Sequence, residues 1–196
     1  MSDTASGLAT PVLLMAMPQV MDPYFHKSVV LLIHHEHAGS LGFVVNRPTE
    51  LLVSSILEGL SVAWNGEAAA VAFLGGPVQR QLGTVLFDPE ATGADDGSGA
   101  TEVAPGIALT QHVSDLSRLA EAPPERFRLL LGYAGWGEGQ LMDELLRNDW
   151  LTAPVRSDLI FSNEPEQVWD AALRSVGVDP AVLPSWTAGG GDDEAN

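Results

Sequence analysis

The amino-acid sequence predicts a single soluble domain of the mixed helix-and-sheet (α+β) class. The chain has 196 residues, of which 45% are hydrophobic, and this is enough for one sizeable buried core. Its 20 glycines and 13 prolines predict many tight turns between short regular elements. We expect residues 1–187 to form the domain, and residues 188–196, mostly glycines and acids, to be a disordered tail.

The first part of the chain is predicted to contain three buried strands. Residues 11–17 and 25–33 are apolar runs, and the second is rich in β-branched residues. Gly39 and the polar residues around it predict a hairpin, which leads into a third strand over residues 41–45. The turn-forming residues 46–48 are expected to end that strand.

A short helix and two more strands are predicted next. Ser55 and Glu58 have capping-box spacing, so a helix is expected to begin at Ser55. Residues 71–74 and 83–87 are short apolar runs typical of buried strands. Residues 88–102 are mostly Gly, Ala, Ser, Thr and acids. We expect them to form an exposed loop because they bury too little apolar area to offset the entropy of ordering.

The second half of the chain predicts a strand, a glycine loop and a helix in succession. Residues 107–110 resemble a strand, and Ser114 is expected to cap the helix that follows. Residues 127–131 form a compact apolar strand. It leads into a glycine-rich loop over residues 132–139 and then into a helix over residues 140–147.

The C-terminal part is predicted to hold two extended pieces and one long helix. The extended pieces are residues 150–155 and 159–161. Asn163 is placed to cap an amphipathic helix, and Gly177 supplies its left-handed stop.

Charge and composition exclude several functions. The chain has 26 acids against nine bases and a formal net charge of −17, so it repels polyanions. Direct nucleic-acid binding is therefore disfavoured, whereas a basic partner remains possible. Since the sequence has no cysteine, it has no disulfide, no thiolate nucleophile and no thiolate metal site.

The sequence also predicts a cytoplasmic location. Residues 8–17 are apolar, but the run is short and is preceded by Asp3 without Lys or Arg, unlike a secretory signal. No apolar run approaches the roughly 18 residues that a spanning helix needs, so we expect no membrane insertion.

Several motifs occur in a fixed order along most of the chain. They are Ala16-Met17-Pro18, Asp22-Pro23-Tyr24-Phe25, Val45-Asn46-Arg47-Pro48, Gly75-Gly76-Pro77-Val78, Gly132-Tyr133-Ala134-Gly135-Trp136 and Asn148-Asp149-Trp150-Leu151. Together they resemble the AlgH/YqgE family, whose biochemical function is uncharacterised. The resemblance implies an α+β fold in which helices pack outside a strongly coiled or bifurcated mixed β-sheet. Members of the family are labelled as transcriptional regulators. None of the predicted helices, however, carries the Arg, Lys, Asn or Gln face of a direct DNA reader.

The first candidate ligand site is the glycine-rich loop over residues 132–139. A strand–loop–helix geometry can hold an anion on backbone amides, and Tyr133, Gly135 and Trp136 would contact it. The loop lacks the spacing of dinucleotide and phosphate loops, and acids near the helix start, Glu144 among them, would repel phosphate. The alternative is a structural turn whose two aromatic residues pack on the core.

The second candidate combines two strand ends. If the strands that precede Asn46 and Gly75 are neighbours, Arg47, Arg80 and the amides of Gly75 and Gly76 would line one pocket. The alternative is that Asn46 and the glycines hold strand-end turns while Arg47 pairs with one of the many acids.

No catalytic, metal or cofactor site is predicted. On an extended strand His35 and His37 share one face, whereas His34 and Glu36 share the other, so no three of them converge on a metal. No Gly-x-Ser-x-Gly elbow is present, and Ser28 lies within an apolar strand.

The sequence therefore favours a non-enzymatic regulatory or binding domain that recognises a small molecule or a protein through its glycine-rich strand ends. Two alternatives stay open. One is a hydrolase or other enzyme whose site the sequence does not reveal, and the other is a transcription-associated regulator that acts without direct DNA binding.

Overall fold

A computed structural model describes residues 8–92 and 99–184. The described residues form ten β-strands and five α-helices. The strands are β1 (Val12–Ala16), β2 (Val29–Glu36), β3 (Gly39–Val44), β4 (Pro48–Leu52), β5 (Val71–Leu74), β6 (Val78–Phe87), β7 (Thr101–Ala104), β8 (Ile107–Thr110), β9 (Phe127–Trp136) and β10 (Trp150–Ala153). The helices are α1 (Val53–Glu58), α2 (Val113–Glu121), α3 (Gln140–Leu146), α4 (Ser157–Phe161) and α5 (Pro165–Ser175), with 3₁₀ turns at Pro89–Thr92 and Pro180–Val182.

The ten strands make one strongly curled sheet that branches at β9. The main strand order is β10-β1-β2-β3-β9-β6-β8-β7, and the pairings along it are antiparallel. The end of β9 pairs with β3, whereas Leu130 and Leu131 earlier in β9 pair in parallel with Phe73 and Leu74 of β5. β4 then extends the branch through its pairing with β5. The coiled, branched and mixed sheet that the family resemblance implies is thus confirmed.

The largest part of the core lies between the sheet and helices α4 and α5. Val168, Trp169, Ala172 and Leu173 of α5 are almost fully buried, as the helical period of the sequence predicts. Trp169 also donates a hydrogen bond from its indole Nε1 to the carbonyl oxygen of Ala16 in β1, at 2.8 Å. This bond joins the C-terminal helix to the first strand. Among the described residues, none of the helices combines the length and apolar character required to cross a membrane.

One buried cation sits in this core. The side chain of Arg128 in β9 is 6% exposed and donates a hydrogen bond to the carbonyl oxygen of Val45. Its guanidinium carbon lies 4.7 Å from the ring centre of Phe73 and 5.9 Å from that of Phe161. Burial lowers the pKa of Arg128 to about 10, since desolvation disfavours the charged form.

The second strand differs from its prediction. It begins at Val29 rather than at Phe25 and continues to Glu36. The residues before it form a turn, because the amides of Phe25 and His26 both donate to the carbonyl oxygen of Asp22, at 3.1 and 2.8 Å. The third strand ends at Val44, just before residues 46–48, as predicted, and the chain then enters β4 at Pro48, which pairs with β5.

The three predicted helix caps are wrong. Ser55 lies inside α1, and Ser114 lies inside α2, whose N-cap position is His112. The N-cap position of α5 is Glu164, and the Asn163 side chain instead donates to carbonyl oxygens at the end of α4. None of these three helices has a side-chain cap hydrogen bond. Tertiary packing of their apolar faces therefore outweighs capping in setting where they begin.

One local prediction fails, and another is wrong at its end. Residues 159–161 are not extended but belong to the one-turn helix α4, whose Leu159 and Ile160 are buried in the core. The expected loop over residues 88–102 includes the 3₁₀ turn Pro89–Thr92, and its last two residues begin β7, which pairs with β8. The predicted acidic tail, residues 188–196, lies outside the described residues.

A cleft at the open end of strand β9

The glycine-rich segment over residues 132–139 is a strand for more than half its length. β9 continues to Trp136, and Gly135 pairs with Leu41 of β3. The prediction of a loop over residues 132–139 is therefore wrong for the part up to Trp136. Glycine weakens a strand in isolation, but pairing with β3 compensates for this. The turn proper is confined to the residues between Trp136 and α3.

Apart from Arg80, the residues predicted to form ligand sites fall into two regions. One region, here called the closed crossing, comprises Asn46, Arg47, Gly75, Gly76 and Gly132. The other, here called the open end, comprises the last residues of β9: Tyr133, Gly135 and Trp136.

At the closed crossing, three glycines let two backbones touch. A Cβ atom on Gly75 would lie 2.3 Å from the carbonyl oxygen of Gly132, and one on Gly76 would lie 2.1 Å from the carbonyl carbon of Tyr133. Gly132 has φ of +73°, and a Cβ there would lie 2.6 Å from the carbonyl oxygen of Gly76. The two backbones are therefore in direct contact where a side chain would otherwise stand.

Asn46 and Arg47 hold the turn that precedes β2. Asn46 accepts a hydrogen bond from the amide of Val29 at 2.8 Å and donates one to the carbonyl oxygen of Lys27 at 3.0 Å. Arg47 Nη2 donates to the carbonyl oxygen of His26 at 2.6 Å. Both side chains therefore clamp backbone, as the structural alternative anticipated for Asn46.

Arg80 lies on an irregular stretch of β6, between the residues that pair with β9. Its side chain is exposed, and neither it nor Arg47 lines the cleft at the end of β9, the depression beside β3 or the cavity beside Trp169. Ligand binding by Asn46, Arg47, Gly75, Gly76 and Arg80 stays a prediction.

The open end borders a cleft of ≈ 360 Å³. Its walls come from four places in the sequence: the loop before β2, the end of β9, helix α3, and the turn into β10. The lining includes the side chains of Asp22, Phe25, Trp136, Gln140, Glu144, Arg147, Asp149 and Trp150. Tyr133, Gly135 and Trp136 also line a more open depression beside β3.

Three aromatic rings form one wall of the cleft. The ring centre of Phe25 lies 6.3 Å from that of Trp136 and 5.7 Å from that of Trp150, and the two indoles are 5.9 Å apart. The edge-to-face angles of 80° and 81° are typical of stabilising aromatic pairs. The three rings are therefore packed against one another in one wall.

Glu144 is held in place by both indoles. Its Oε2 accepts hydrogen bonds from Nε1 of Trp136 at 2.8 Å and of Trp150 at 2.7 Å. Its Oε1 accepts one from Nε2 of Gln140 at 2.9 Å, and Gln140 in turn accepts from the amide of Gly137 at 3.1 Å. One carboxylate thus has a fixed orientation beside an aromatic wall.

The other charges of the cleft leave it negative. Arg147 pairs with Asp149 at 2.7 Å, so these two charges largely cancel. Asp22 accepts a hydrogen bond from the amide of Tyr24, and together with Glu144 it leaves two uncompensated carboxylates on the lining. A negative cleft with an aromatic wall suits a cationic group.

Sequence reasoning found part of this cleft and missed the rest. Gly135 and Trp136 were candidate residues, whereas Phe25, Glu144 and Trp150 were not. The usable signals were the helical spacing of Gln140 and Glu144 and the tryptophan that follows α3 directly.

The histidine cluster takes part in local pairs. His34 Nε2 lies 3.7 Å from a Glu36 oxygen, which confirms that these two side chains share a face, and His37 lies 3.4 Å from Glu138. His35 Nδ1 is 2.7 Å from the hydroxyl of Ser40. Within residues 8–92 and 99–184, no group of three or more His, Asp or Glu side chains is placed to hold a metal ion.

Fold and cleft together define an α+β protein with a single curled, branched sheet and a ligand-sized cleft at one strand end. Comparison with known families identifies the family: the AlgH-like family profile matches residues 13–181, and the chain belongs to that family. The biochemical function of this family is uncharacterised.

Relatives and solved structures agree with the assignment. The chain is 39% identical over 175 residues to a UPF0301 protein of Myxococcus xanthus, covering 88% of this chain and 93% of the relative. It is 40% identical over 183 residues to one of Ruegeria pomeroyi, covering 92% and 97%. The solution structure of the AlgH protein from Pseudomonas aeruginosa is similar, with a TM-score of 0.72, 32% identity, and coverage of 96% of this chain and 100% of that one. A Corynebacterium diphtheriae protein shares the fold, with a TM-score of 0.68, 23% identity and 91% coverage of both chains.

Proposed function

We propose that this protein is a non-enzymatic binding domain whose cleft at the open end of β9 takes up a small organic cation, such as an ammonium or guanidinium group. The observation that carries the proposal is the carboxylate of Glu144, which two indole N–H groups hold at the cleft beside an aromatic wall. Because the acceptor is already oriented, a ligand does not have to order it on binding.

Charge selects the class of ligand. Asp22 and Glu144 leave the cleft negative, and the net charge of −17 adds a long-range field that attracts cations and repels anions. A cation that contacts Glu144 can also lie against the aromatic wall, where the ring quadrupoles attract it. An anion would be repelled by the two carboxylates, by the net charge and by the faces of the aromatic rings.

The lining offers few groups suited to group transfer. Its described residues include no serine, threonine or histidine, and its carboxylate Glu144 is already held as an acceptor by three hydrogen bonds. The proposed role is recognition, and the partner is a small molecule or a basic group of another protein.

We further propose that the domain acts in the cytoplasm, as a regulatory protein without direct contact with nucleic acid. The described helices carry few cations. Arg118 in α2 lies 3.7 Å from Asp115, and Arg174 in α5 lies 3.4 Å from Asp170. A helix whose basic groups are matched by acids gains little from phosphate contacts.

The proposal is tested by titrating ¹⁵N-labelled protein with benzylamine at neutral pH and following the tryptophan indole N–H signals. The Trp136 and Trp150 signals are assigned by single Trp→Phe variants. We expect both to shift with benzylamine and to stay unmoved with benzyl alcohol, which has similar size and no charge. Glu144→Gln is expected to weaken binding at least about tenfold, since it removes the charge and keeps the shape.

Glu166→Gln is the matched control, because it removes the same charge from the exposed surface of α5, away from the cleft. It should leave benzylamine binding within about twofold of the original affinity. Equal shifts with benzyl alcohol, or unchanged binding in Glu144→Gln, would contradict the proposal. Thermal unfolding of both variants checks that the fold is intact.

A further inference from the structure

A second cavity, of ≈ 270 Å³, lies on the other side of the loop that borders the cleft. Where the cleft uses Asp22 and Phe25 from this loop, the second cavity uses Pro18, His26 and Lys27. Its remaining wall is Trp169 of α5, Pro180 at the start of the 3₁₀ turn Pro180–Val182, and the two residues after that turn, Leu183 and Pro184. We refer to it as the proline pocket, because three of its lining residues are prolines.

The charge of the proline pocket is opposite to that of the protein. Lys27 is the only lysine of the chain, and no carboxylate is among the described lining residues. Its Nζ lies 5.4 Å from the ring centre of Trp169, and no salt bridge to Lys27 is present within the described part of the chain. In a chain with 26 acids, an ammonium without an acidic partner beside an apolar wall is available to an anionic ligand.

The backbone holds this lysine in an unfavourable conformation. Lys27 has φ of 52°, in the left-handed region where a residue with a Cβ is strained. The clamp from Asn46 to the carbonyl oxygen of Lys27, and from Arg47 to that of His26, maintains the turn. Such a residue persists only where the surrounding structure holds it in place, as the clamp does here.

We propose that the proline pocket binds a small organic carboxylate with a flat apolar body. The carboxylate would pair with the Lys27 ammonium, and the apolar body would pack against the prolines and the small exposed part of the Trp169 ring. The pocket is small, close to the lower limit for ligand sites, so its occupant is about the size of a single ring with a short acidic group. In this arrangement Asn46 and Arg47 are positioning residues.

The test uses benzoate as the probe and the indole N–H signal of Trp169 as the readout. We expect benzoate to shift this signal, and benzamide, its uncharged counterpart, to leave it unchanged. Lys27→Met keeps the apolar part of the side chain and should weaken benzoate binding at least about tenfold. Lys27→Arg should retain most of the affinity, because it keeps the charge.

Two further variants separate binding from folding. Lys27→Gly relieves the positive φ while it removes the ammonium, so we expect an unchanged or higher melting temperature together with lost benzoate binding. Arg156→Met removes an exposed cation that does not line the pocket and should leave benzoate affinity within about twofold. Benzoate binding that survives Lys27→Met, or a Trp169 signal that responds equally to benzamide, would overturn the proposal. This result does not bear on the cleft at the open end of β9, since binding there is measured from the indole N–H signals of Trp136 and Trp150.

Discussion

The closed crossing and the open end use similar residues for opposite purposes. Both combine glycines with larger side chains at the ends of strands. At the closed crossing, a Cβ on Gly76 would lie 2.1 Å from backbone, whereas at the open end a Cβ on Gly135 would meet only the Tyr133 ring, at 3.4 Å. Glycine at a strand end therefore marks either close backbone contact or free space, and the atoms across from it decide which.

The largest expected effect is that of Gly76→Ala. The new Cβ would overlap the backbone of Tyr133, and φ of +155° is itself strained for alanine. We expect a loss of about 3 kcal/mol or more in the free energy of unfolding, measured by urea denaturation, or failure to fold. A variant as stable as the original protein would show that the crossing is not closely packed.

Asn46→Ala should have the next largest effect. It removes both clamp bonds and leaves the buried amide of Val29 without its acceptor, so we expect a loss of ~2–3 kcal/mol. Asn46→Asp keeps the acceptor for Val29 but sets an oxygen against the carbonyl oxygen of Lys27, a repulsion that the neighbouring Arg47 cation partly offsets, so its loss should still be smaller. Equal losses in the two variants would contradict the assignment of the hydrogen bonds.

At the open end, Trp150→Phe is expected to cost about 1.5 kcal/mol, since it removes one of the two indole donors to the Glu144 carboxylate. Trp64→Phe is the matched control, because Trp64 donates to the backbone carbonyl of Glu67 rather than to a charged group. Thermal and urea unfolding should rank Trp150→Phe as the more destabilising change. The reverse ranking would mean that Glu144 is not held as described.

The smallest effect is expected for Gly135→Ala. Its Cβ would be in ordinary van der Waals contact, and alanine in a strand is more favourable than glycine, so stability should stay within about 0.5 kcal/mol. The measurement is the same urea titration used for Gly76→Ala. A loss of the size expected at Gly76 would remove the distinction between the two regions.

Much of the secondary structure was predictable, whereas the branch point of the sheet was not. The strands over residues 71–74 and 107–110 are as predicted, because each is a short apolar run with clear ends. β9 extends to Trp136 only because β3 supplies a partner strand, and residues 159–161 become helical where Leu159 and Ile160 pack into the core. Because β3 and the core residues around α4 are distant in sequence from these segments, the local pattern of residues could not predict either outcome.

The sequence by itself determined the class of fold, the family, the acidic character and most of the buried runs, because these depend on composition and on spacing between near neighbours. Only the tertiary structure decided which candidate residues face a cavity. Phe25, Trp136, Glu144 and Trp150 come from four separate elements, and they meet because the sheet curls and α3 folds back over its edge. The same folding places Lys27 against Trp169, 142 positions later in the chain. Such long-range contacts arise from tertiary packing, which the local pattern of residues does not specify.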